Sequence, residues 1–351
     1  MTEKFAFETD KVSIAFGLRY GLGDSVVAKK VFDALIEIEP DCRIDVFYKE
    51  AQHRVFAEAF FGGNKNLNRI LSYDEFYEKC REKYALTVWV VGTFSVVFDG
   101  ANIEQLKMSP ALLNTALKVQ QYNAQNVHKF KEPDFVVPIR NVCLSRILNK
   151  NFFWFVSAGG ALPIRDDKVN IPLKPEYKPE FDAFKLGNYI TIYSNIGRNE
   201  ERPKLKSWPP KYLVEYVALV KEKFPAVEVV QVGGRNDLEI PNVDRKFLGV
   251  NLELTKYILA NSLLHVGCEG GLVHLATALG TKCLVFFGVN DWHYYAYAEN
   301  INIASTVCEP CMYVWPSGTD CLRGEENPPC MLDITPQEAL DATSDWLKIK
   351  A

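Results

Sequence analysis

A carboxylate stands where the first predicted strand of this chain gives way to its first predicted helix. The glycine-rich segment 17–24 follows the apolar run 12–16 and ends in Gly23 and Asp24. Glycines let a backbone turn tightly and approach a ligand, and Asp24 could there take a proton from a substrate hydroxyl. A plain N-cap is the alternative. A dinucleotide fingerprint is disfavoured because Val26 replaces its third glycine.

A second candidate site follows residues 189–193, the first predicted strand of the second half. Gly197 and Arg198 lie just beyond that strand, and Lys206 stands shortly before two prolines that suit a helix start. A lysine on a loop that enters a helix can meet a phosphate as a point charge. Lys204 is an alternative to Lys206, and a solvated loop would need no ligand at all.

The most specific phosphate-type signal is a glycine pair between a strand and a helix. Glu269 precedes Gly270 and Gly271, and the predicted helix then begins with Leu272 and carries His274 on its first turn. Bare backbone N–H groups and the helix dipole make such a junction an anion-binding site. The alternative is a tight turn with a hydrogen-bonded histidine and no ligand.

Four of the nine cysteines lie close together in a stretch rich in proline and glycine. Their spacing is C-x2-C-x9-C-x8-C: Cys308, Cys311, Cys321 and Cys330. Four thiolates suit a closed tetrahedral site for zinc or iron, which would be structural because no coordination position is left open. Two disulfides are the alternative, although disulfides seldom persist in the cytoplasm.

Composition narrows the class of protein. The chain has 351 residues and a formal net charge of -4, which gives no general drive toward nucleic acid. The first ten residues contain three acids and no apolar run, so no signal peptide is predicted. The longest apolar stretch, 152–164, is shorter than the roughly 20 residues that span a bilayer. We therefore expect a cytoplasmic protein.

Strand and helix patterns alternate in two series, which predicts an α/β protein of two doubly wound domains facing each other across a cleft. The predicted domains are 1–172 and 188–335, with a proline-rich linker at 173–187 and a final helix at 336–351. The predicted strands are 12–16, 43–48, 86–91, 189–193, 228–232, 263–267 and 282–287. The predicted helices are 25–38, 51–61, 74–83, 102–121, 211–223, 252–261 and 271–279.

Several of these motifs together resemble glycosyltransferase family 9, the bacterial heptosyltransferases. The family's Gly-Asp loop appears as Gly23-Asp24, its Lys-x-Trp-Pro as Lys206-Ser207-Trp208-Pro209, and its Asp-Thr-Gly-x-x-His stretch begins at Glu269. An apolar strand ending in Phe287-Gly288 follows, as in the family. Two residues depart from the pattern, because Glu269 replaces Asp and Gly270 replaces Thr.

The resemblance implies a GT-B fold and an inverting transfer without a catalytic metal. Asp24 would be the general base, and Lys206, His274 and the amides of Gly270 and Gly271 would meet the charge on the leaving nucleotide diphosphate. Ribose could hydrogen-bond to a carboxylate after the Gly233-Gly234 turn, for which the candidates are Asp237 and Glu239.

The resemblance also suggests substrates and partners. ADP-heptose is the implied donor, and the acceptor would be a hydroxyl on a glycan, on lipopolysaccharide core or on a protein. The four-cysteine loop resembles that of members that glycosylate autotransporter adhesins and carry a Cys-bound metal. Contact with the inner membrane and self-association stay open. Two other functions also stay open: a sugar-nucleotide epimerase on the same architecture, and a degenerate nucleotide-sugar binder without activity.

Overall fold

The computed structural model of the chain describes residues 10–99, 102–127, 133–196, 205–314 and 320–350. The chain divides into two units, Met1–Pro172 and Leu173–Ala351. Each unit contains one β-sheet flanked by helices. The α/β class predicted from the sequence is therefore confirmed.

The sheet of the first unit has the strand order β3-β2-β1-β4-β5. Its strands are β1 Ser13–Leu18, β2 Arg43–Tyr48, β3 Leu67–Ser72, β4 Leu86–Val91 and β5 Ser95–Asp99. Neighbours pair in parallel, except that β5 runs antiparallel to β4. The sequence predicted β1, β2 and β4, whose residues are mostly buried, and missed β3 and β5 at the two edges.

The helices of the first unit are α1 Leu22–Ile38, α2 Ala51–Phe60, α3 Glu78–Cys80, α4 Ile103–Leu106, α5 Pro110–Asn126, α6 Pro133–Leu148 and α7 Phe152–Val156. Helix α1 buries the apolar stripe that its helical spacing predicted, including Val27, Val31 and Leu35. The predicted helical region 102–121 is two helices, because the Ser109 side chain caps a new helix at Pro110 by accepting from Leu112 N at 3.3 Å.

The sheet of the second unit is entirely parallel, with the strand order β11-β10-β9-β6-β7-β8. Its strands are β6 Tyr189–Ile192, β7 Glu228–Gly233, β8 Arg245–Leu248, β9 His265–Cys268, β10 Cys283–Phe287 and β11 Ile301–Ala304. The strand order reverses direction between β6 and β9. In open α/β sheets, ligands bind outside the carboxyl ends of strands at such a reversal.

The helices of the second unit are α8 Lys178–Asp182, α9 Pro210–Lys223, α10 Leu252–Ala260, α11 Gly271–Ala278, α12 Trp292–Tyr295, α13 Pro329–Asp333 and α14 Pro336–Lys350. Helix α9 begins on two prolines, and its buried face, which includes Tyr216 and Val217, joins the core formed with the strands. Among the described helices, none combines the length and the apolar character that crossing a membrane would need.

Candidate functional site

Asp24 lies in the first turn of α1 and is not its N-cap. The helix begins at Leu22, and the N-cap position belongs to Gly21, which offers no side chain for capping. Ser25 Oγ returns a hydrogen bond to the Gly21 carbonyl at 2.9 Å. The plain-cap interpretation of Asp24 is therefore wrong, and the residue is half-buried.

The Asp24 carboxylate lies beside the loop that follows β4. Its Oδ1 is 3.3 Å from the position that a Cβ on Gly92 would occupy, and Gly92 has a φ of +53°, in the region that favours glycine. Strands β1 and β4 are neighbours, and the strand order of the first sheet reverses between them. Asp24 thus lies near the carboxyl ends of β1 and β4, where a substrate is expected.

The two residues that follow Lys206 in the sequence hold it near the carboxyl end of β6. The buried Trp208 donates its Nε1 hydrogen to the Ile334 carbonyl at 2.8 Å. Ser207 Oγ donates to the Asn195 carbonyl, also at 2.8 Å. These bonds fix the backbone on which Lys206 stands, while its own side chain remains 29% exposed.

Glu269 is the centre of a buried polar cluster at the carboxyl ends of β6, β9 and β10. Its Oε2 lies 3.6 Å from Lys206 Nζ and accepts a hydrogen bond from Asn290 Nδ2. Its Oε1 lies 3.3 Å from His274 Nε2. The other ring nitrogen of His274 lies 2.7 Å from the Tyr297 hydroxyl. Both nitrogens of His274 are thus engaged, and the ring orients the carboxylate.

The partners of Glu269 decide its charge. Burial raises the pKa of the carboxyl, but the Lys206 ammonium, His274 and Asn290 outweigh burial and lower that pKa to about 2. The carboxylate is therefore ionised at neutral pH and holds the Lys206 ammonium beside it. Each of the two charges has a partner of opposite sign, which is the condition for burying a carboxylate at this depth.

The N-terminus of α11 opens next to this cluster. Its N-cap is Gly270, which has no side-chain hydrogen bond to the first turn. Within the described residues, no side chain caps the first-turn amides that begin with Gly271, and such amides favour an anion. Gly270 is extended, and the atom nearest to a Cβ there would be the Cys268 carbonyl oxygen at 3.8 Å. The position has room for a side chain but carries none.

The other predicted donor residues lie elsewhere along this edge or outside the described residues. Asp237 Oδ2 accepts from the Gly234 amide at 2.6 Å and so closes the turn after β7. Glu239 pairs with Lys246 at 3.0 Å. Gly197, Arg198 and the alternative lysine Lys204 fall outside the residues that the structure describes.

Sequence reasoning named Lys206, Glu269 and His274, which the structure brings together, and it missed Asn290 and Tyr297. Asn290 follows β10 directly after Gly288 and Val289. A polar residue just beyond the carboxyl end of a parallel strand was the available signal. Nothing in the sequence pairs Tyr297 with His274.

The four loop cysteines share one environment. Cys330 is buried and the other three pack against the same apolar core. Burial and the neighbouring thiols of Cys308, Cys311 and Cys321 raise the pKa of Cys330 to about 12. All nine cysteines are free thiols. Within the described ranges, no group of three or more His, Cys, Asp or Glu side chains is arranged to hold a metal ion.

Comparison with known proteins defines the fold. No protein-family model and no curated protein matches the sequence. Solved structures do match over nearly the whole chain, and they have the GT-B architecture of glycosyltransferase family 9. The chain therefore has the heptosyltransferase fold that its motifs suggested.

Three of these structures are representative. ADP-heptose lipopolysaccharide heptosyltransferase II of E. coli is 16% identical, with a TM-score of 0.58 over 97% of this chain and 100% of the other. A family 9 glycosyltransferase of Veillonella parvula is 15% identical, with a TM-score of 0.60 over 98% and 100%. The iron-containing dodecameric glycosyltransferase TibC of enterotoxigenic E. coli is 14% identical, with a TM-score of 0.61 over 97% and 77%.

The depressed pKa of Glu269 predicts how Glu269→Gln changes stability with pH. A carboxyl whose pKa falls from 4.5 to about 2 on folding stabilises the fold above pH 4.5, and this contribution is lost as the pH drops toward 2. At pH 7 we expect Glu269→Gln to lower the free energy of unfolding by about 1–3 kcal/mol.

Urea unfolding of both proteins at a series of pH values measures this difference. It should be largest at neutral pH and should narrow steadily below pH 4.5. The exposed Glu222 on α9 supplies a matched control, Glu222→Gln. A difference between wild type and Glu269→Gln that stays constant down to pH 3 would contradict the assignment.

Proposed function

We propose that the protein is an inverting glycosyltransferase that moves a sugar, with heptose from ADP-heptose favoured, onto an acceptor hydroxyl. The observation that carries the proposal is the Lys206–Glu269 pair beside the uncapped N-terminus of α11. A cation and bare amides at the carboxyl edge of a parallel sheet are suited to a nucleotide diphosphate.

The diphosphate would bind to Lys206 and to the amides of Gly270 and Gly271. The Lys206 ammonium is partly exposed, and at 3.6 Å its contact with Glu269 leaves donor hydrogens available. His274 acts through Glu269, because both of its nitrogens are already engaged. The buried Leu272 anchors the first turn of α11 below the phosphates.

The choice of ADP-heptose as donor rests on named structural neighbours. One neighbour is an ADP-heptose heptosyltransferase, and TibC has been solved in complex with ADP-D-β-D-heptose. Asp237 and Glu239 remain our candidates for the ribose hydroxyls, since both follow β7 at the same edge of the sheet. Gly197 and Arg198 are proposed for the donor from the sequence alone.

Asp24 would act as the general base of the reaction, with Gly23 keeping the backbone close to the substrate. It takes the proton of the acceptor hydroxyl while the acceptor oxygen bonds to the anomeric carbon. The bond from that carbon to the diphosphate oxygen breaks on the opposite face, which inverts the configuration. Lys206 and the α11 amides then stabilise the charge on the departing nucleoside diphosphate. The acceptor is a hydroxyl on a glycan, lipopolysaccharide core or a protein.

Asp24→Asn is the direct test of the base. We expect the variant to bind ADP-heptose as tightly as wild type and to lose transfer by about 10²–10⁴-fold, because an amide cannot take the proton. Calorimetric titration measures donor binding, and release of ADP in the presence of each acceptor class measures transfer. The control is Asp41→Asn, at an exposed aspartate just beyond the end of α1. Full transfer by a folded Asp24→Asn would show that another group is the base.

Lys206→Ala tests the diphosphate site. We expect kcat to fall more than donor affinity does, because the contact strengthens as the leaving group gains charge. The variant leaves Glu269 without its cation, so the double variant Lys206→Ala/Glu269→Gln separates lost catalysis from lost stability. Lys211→Ala, an exposed lysine on α9, is the control. If Lys204→Ala gives the effect instead, the wrong lysine has been assigned.

We further propose that Cys308, Cys311, Cys321 and Cys330 hold one structural zinc or iron ion. The donor set of four thiols fits either metal, and the four cysteines lie in or against one apolar core. Cys330 lies against the residue that follows β10, since a Cβ on Gly288 would be 3.0 Å from Cys330 Sγ. The neighbour TibC is iron-containing.

Elemental analysis of protein purified without a metal-affinity tag tests this site. We expect about one equivalent of metal per chain, because four thiolates satisfy a tetrahedral ion. Replacing any of the four by Ser should remove the metal and lower the melting temperature, whereas Cys143→Ser and Cys42→Ser should leave the metal in place. Metal-free protein with two disulfides among the four would refute the metal site.

A further inference from the structure

Arg19 directly follows the carboxyl end of β1, and its guanidinium has unusual contacts. Its guanidinium lies over the Trp89 ring at 4.2 Å from the centroid and 5.7 Å from the centroid of Tyr73. The residue is exposed. Across the part of the chain that the structure describes, no carboxylate or other hydrogen-bonding group partners it. The contacts that the described residues make with the guanidinium are with these aromatic faces.

The platform under Arg19 is built into the strands. Gly17 of β1 pairs with Trp89 of β4 in the parallel register. A Cβ on Gly17 would lie 1.7 Å from a ring carbon of Trp89. The indole therefore occupies space over β1 that any residue other than glycine would fill. Tyr73 and Tyr77 pack edge-on against the indole, with centroids 5.4 and 5.7 Å away. The ring therefore has little freedom to move.

A guanidinium stacked in this way keeps its hydrogen-bonding capacity. The π-face contacts the plane of the guanidinium, while its N–H groups point outward from the edge in a fixed fork. Such a fork matches the two oxygens of a carboxylate or a phosphate. Because the aromatic rings already restrain the side chain, little further rotamer entropy is lost when an anion binds.

The position of Arg19 connects it with the proposed base. Both Arg19 and Asp24 lie on the segment between β1 and the first turn of α1. This segment stands where the strand order of the first sheet reverses. An ordinary solvated arginine would need neither the glycine beneath Trp89 nor the aromatic packing around it.

We propose that Arg19 is a specificity residue for the acceptor and binds an anionic group, a carboxylate or a phosphate, carried near the hydroxyl that Asp24 deprotonates. This inference rests on the proposed function, in which Asp24 of the first unit deprotonates the acceptor hydroxyl. It adds the chemical class of the acceptor, which must be an acidic or phosphorylated sugar or peptide and not a neutral one.

Thermal-shift titrations at constant ionic strength test the anion site with simple probes. Glucuronate supplies a carboxylate, glucose 6-phosphate supplies a phosphate, and glucose is the neutral control. An anion that binds only the native state raises the melting temperature. We expect one or both anions to stabilise wild type, and Arg19→Gln to need about tenfold more anion for the same shift. Arg19→Lys should also bind more weakly, since it keeps the charge but loses the fork.

Two further variants make the result specific. Arg165→Gln removes another exposed arginine, paired with Glu37 at 2.8 Å, and should respond to the anions as wild type does. Trp89→Leu removes the platform and should weaken anion binding while Arg19 is retained. Equal anion responses of wild type and Arg19→Gln would overturn the proposal, and so would a wild type that responds to neither anion. A response to only one anion would support it and identify the group.

The same titrations with ADP-heptose separate this inference from the proposed function. Arg19→Gln should keep the response to ADP-heptose, whereas Lys206→Ala should weaken it, although by less than it lowers kcat. If ADP-heptose stabilises the protein but the anion response does not depend on Arg19, the inference fails and the proposed function stands. If anion binding depends on Arg19 but no nucleotide sugar binds, the anion site stands and the proposed function fails.

Discussion

The buried carboxylate of Glu269 is the constraint on which the second unit depends. An ionised group at this depth is costly unless it is paired and hydrogen-bonded, and removing a partner leaves an uncompensated charge. Its partners Lys206, His274 and Asn290 come from the segments that follow β6, β9 and β10. One carboxylate thus joins the segments that follow β6 and β10 to the first turn of α11. The segments that we propose for donor binding are thus held together by one buried charge.

The two departures from the family pattern, Glu269 and Gly270, both change the groups available beside the N-terminus of α11. Glu in place of Asp gives the carboxylate one more methylene, and Glu269 contacts both Lys206 and His274. Gly in place of Thr removes a hydroxyl beside the helix N-terminus, although Gly270 is extended and has room for a side chain. In the proposed donor site, anion binding would then depend on backbone amides and on Lys206.

Much of the fold follows from local patterns in the sequence. The buried parallel strands β1, β4 and β10 are largely apolar runs, while β2 alternates. The sequence predicts these strands and β7 with nearly the observed bounds. The strands it misses, β3, β5, β8 and β11, are the edge strands of the two sheets, and in β3 and β8 exposure dilutes the apolar signal. Helix α6 was also missed, because its apolar residues have no single helical face.

The candidate site could be predicted only in part. Lys206 and Glu269 stand in motifs that local chemistry makes conspicuous. The Tyr297 hydroxyl enters through a contact with His274 across 23 residues, which no local pattern encodes. Asp24 was open to an N-cap interpretation because the true cap, Gly21, has no side chain to mark it. The stacking of Arg19 on Trp89 depends on strand pairing between residues far apart in sequence.

A crystal structure of the protein with bound ADP would test the central claim most directly. The account predicts that the diphosphate lies at the N-terminus of α11, with phosphate oxygens about 3 Å from the Gly271 amide and from Lys206 Nζ. Glu269 would keep its contacts with His274 and Asn290. A diphosphate bound away from α11, with Lys206 turned from it, would contradict the account.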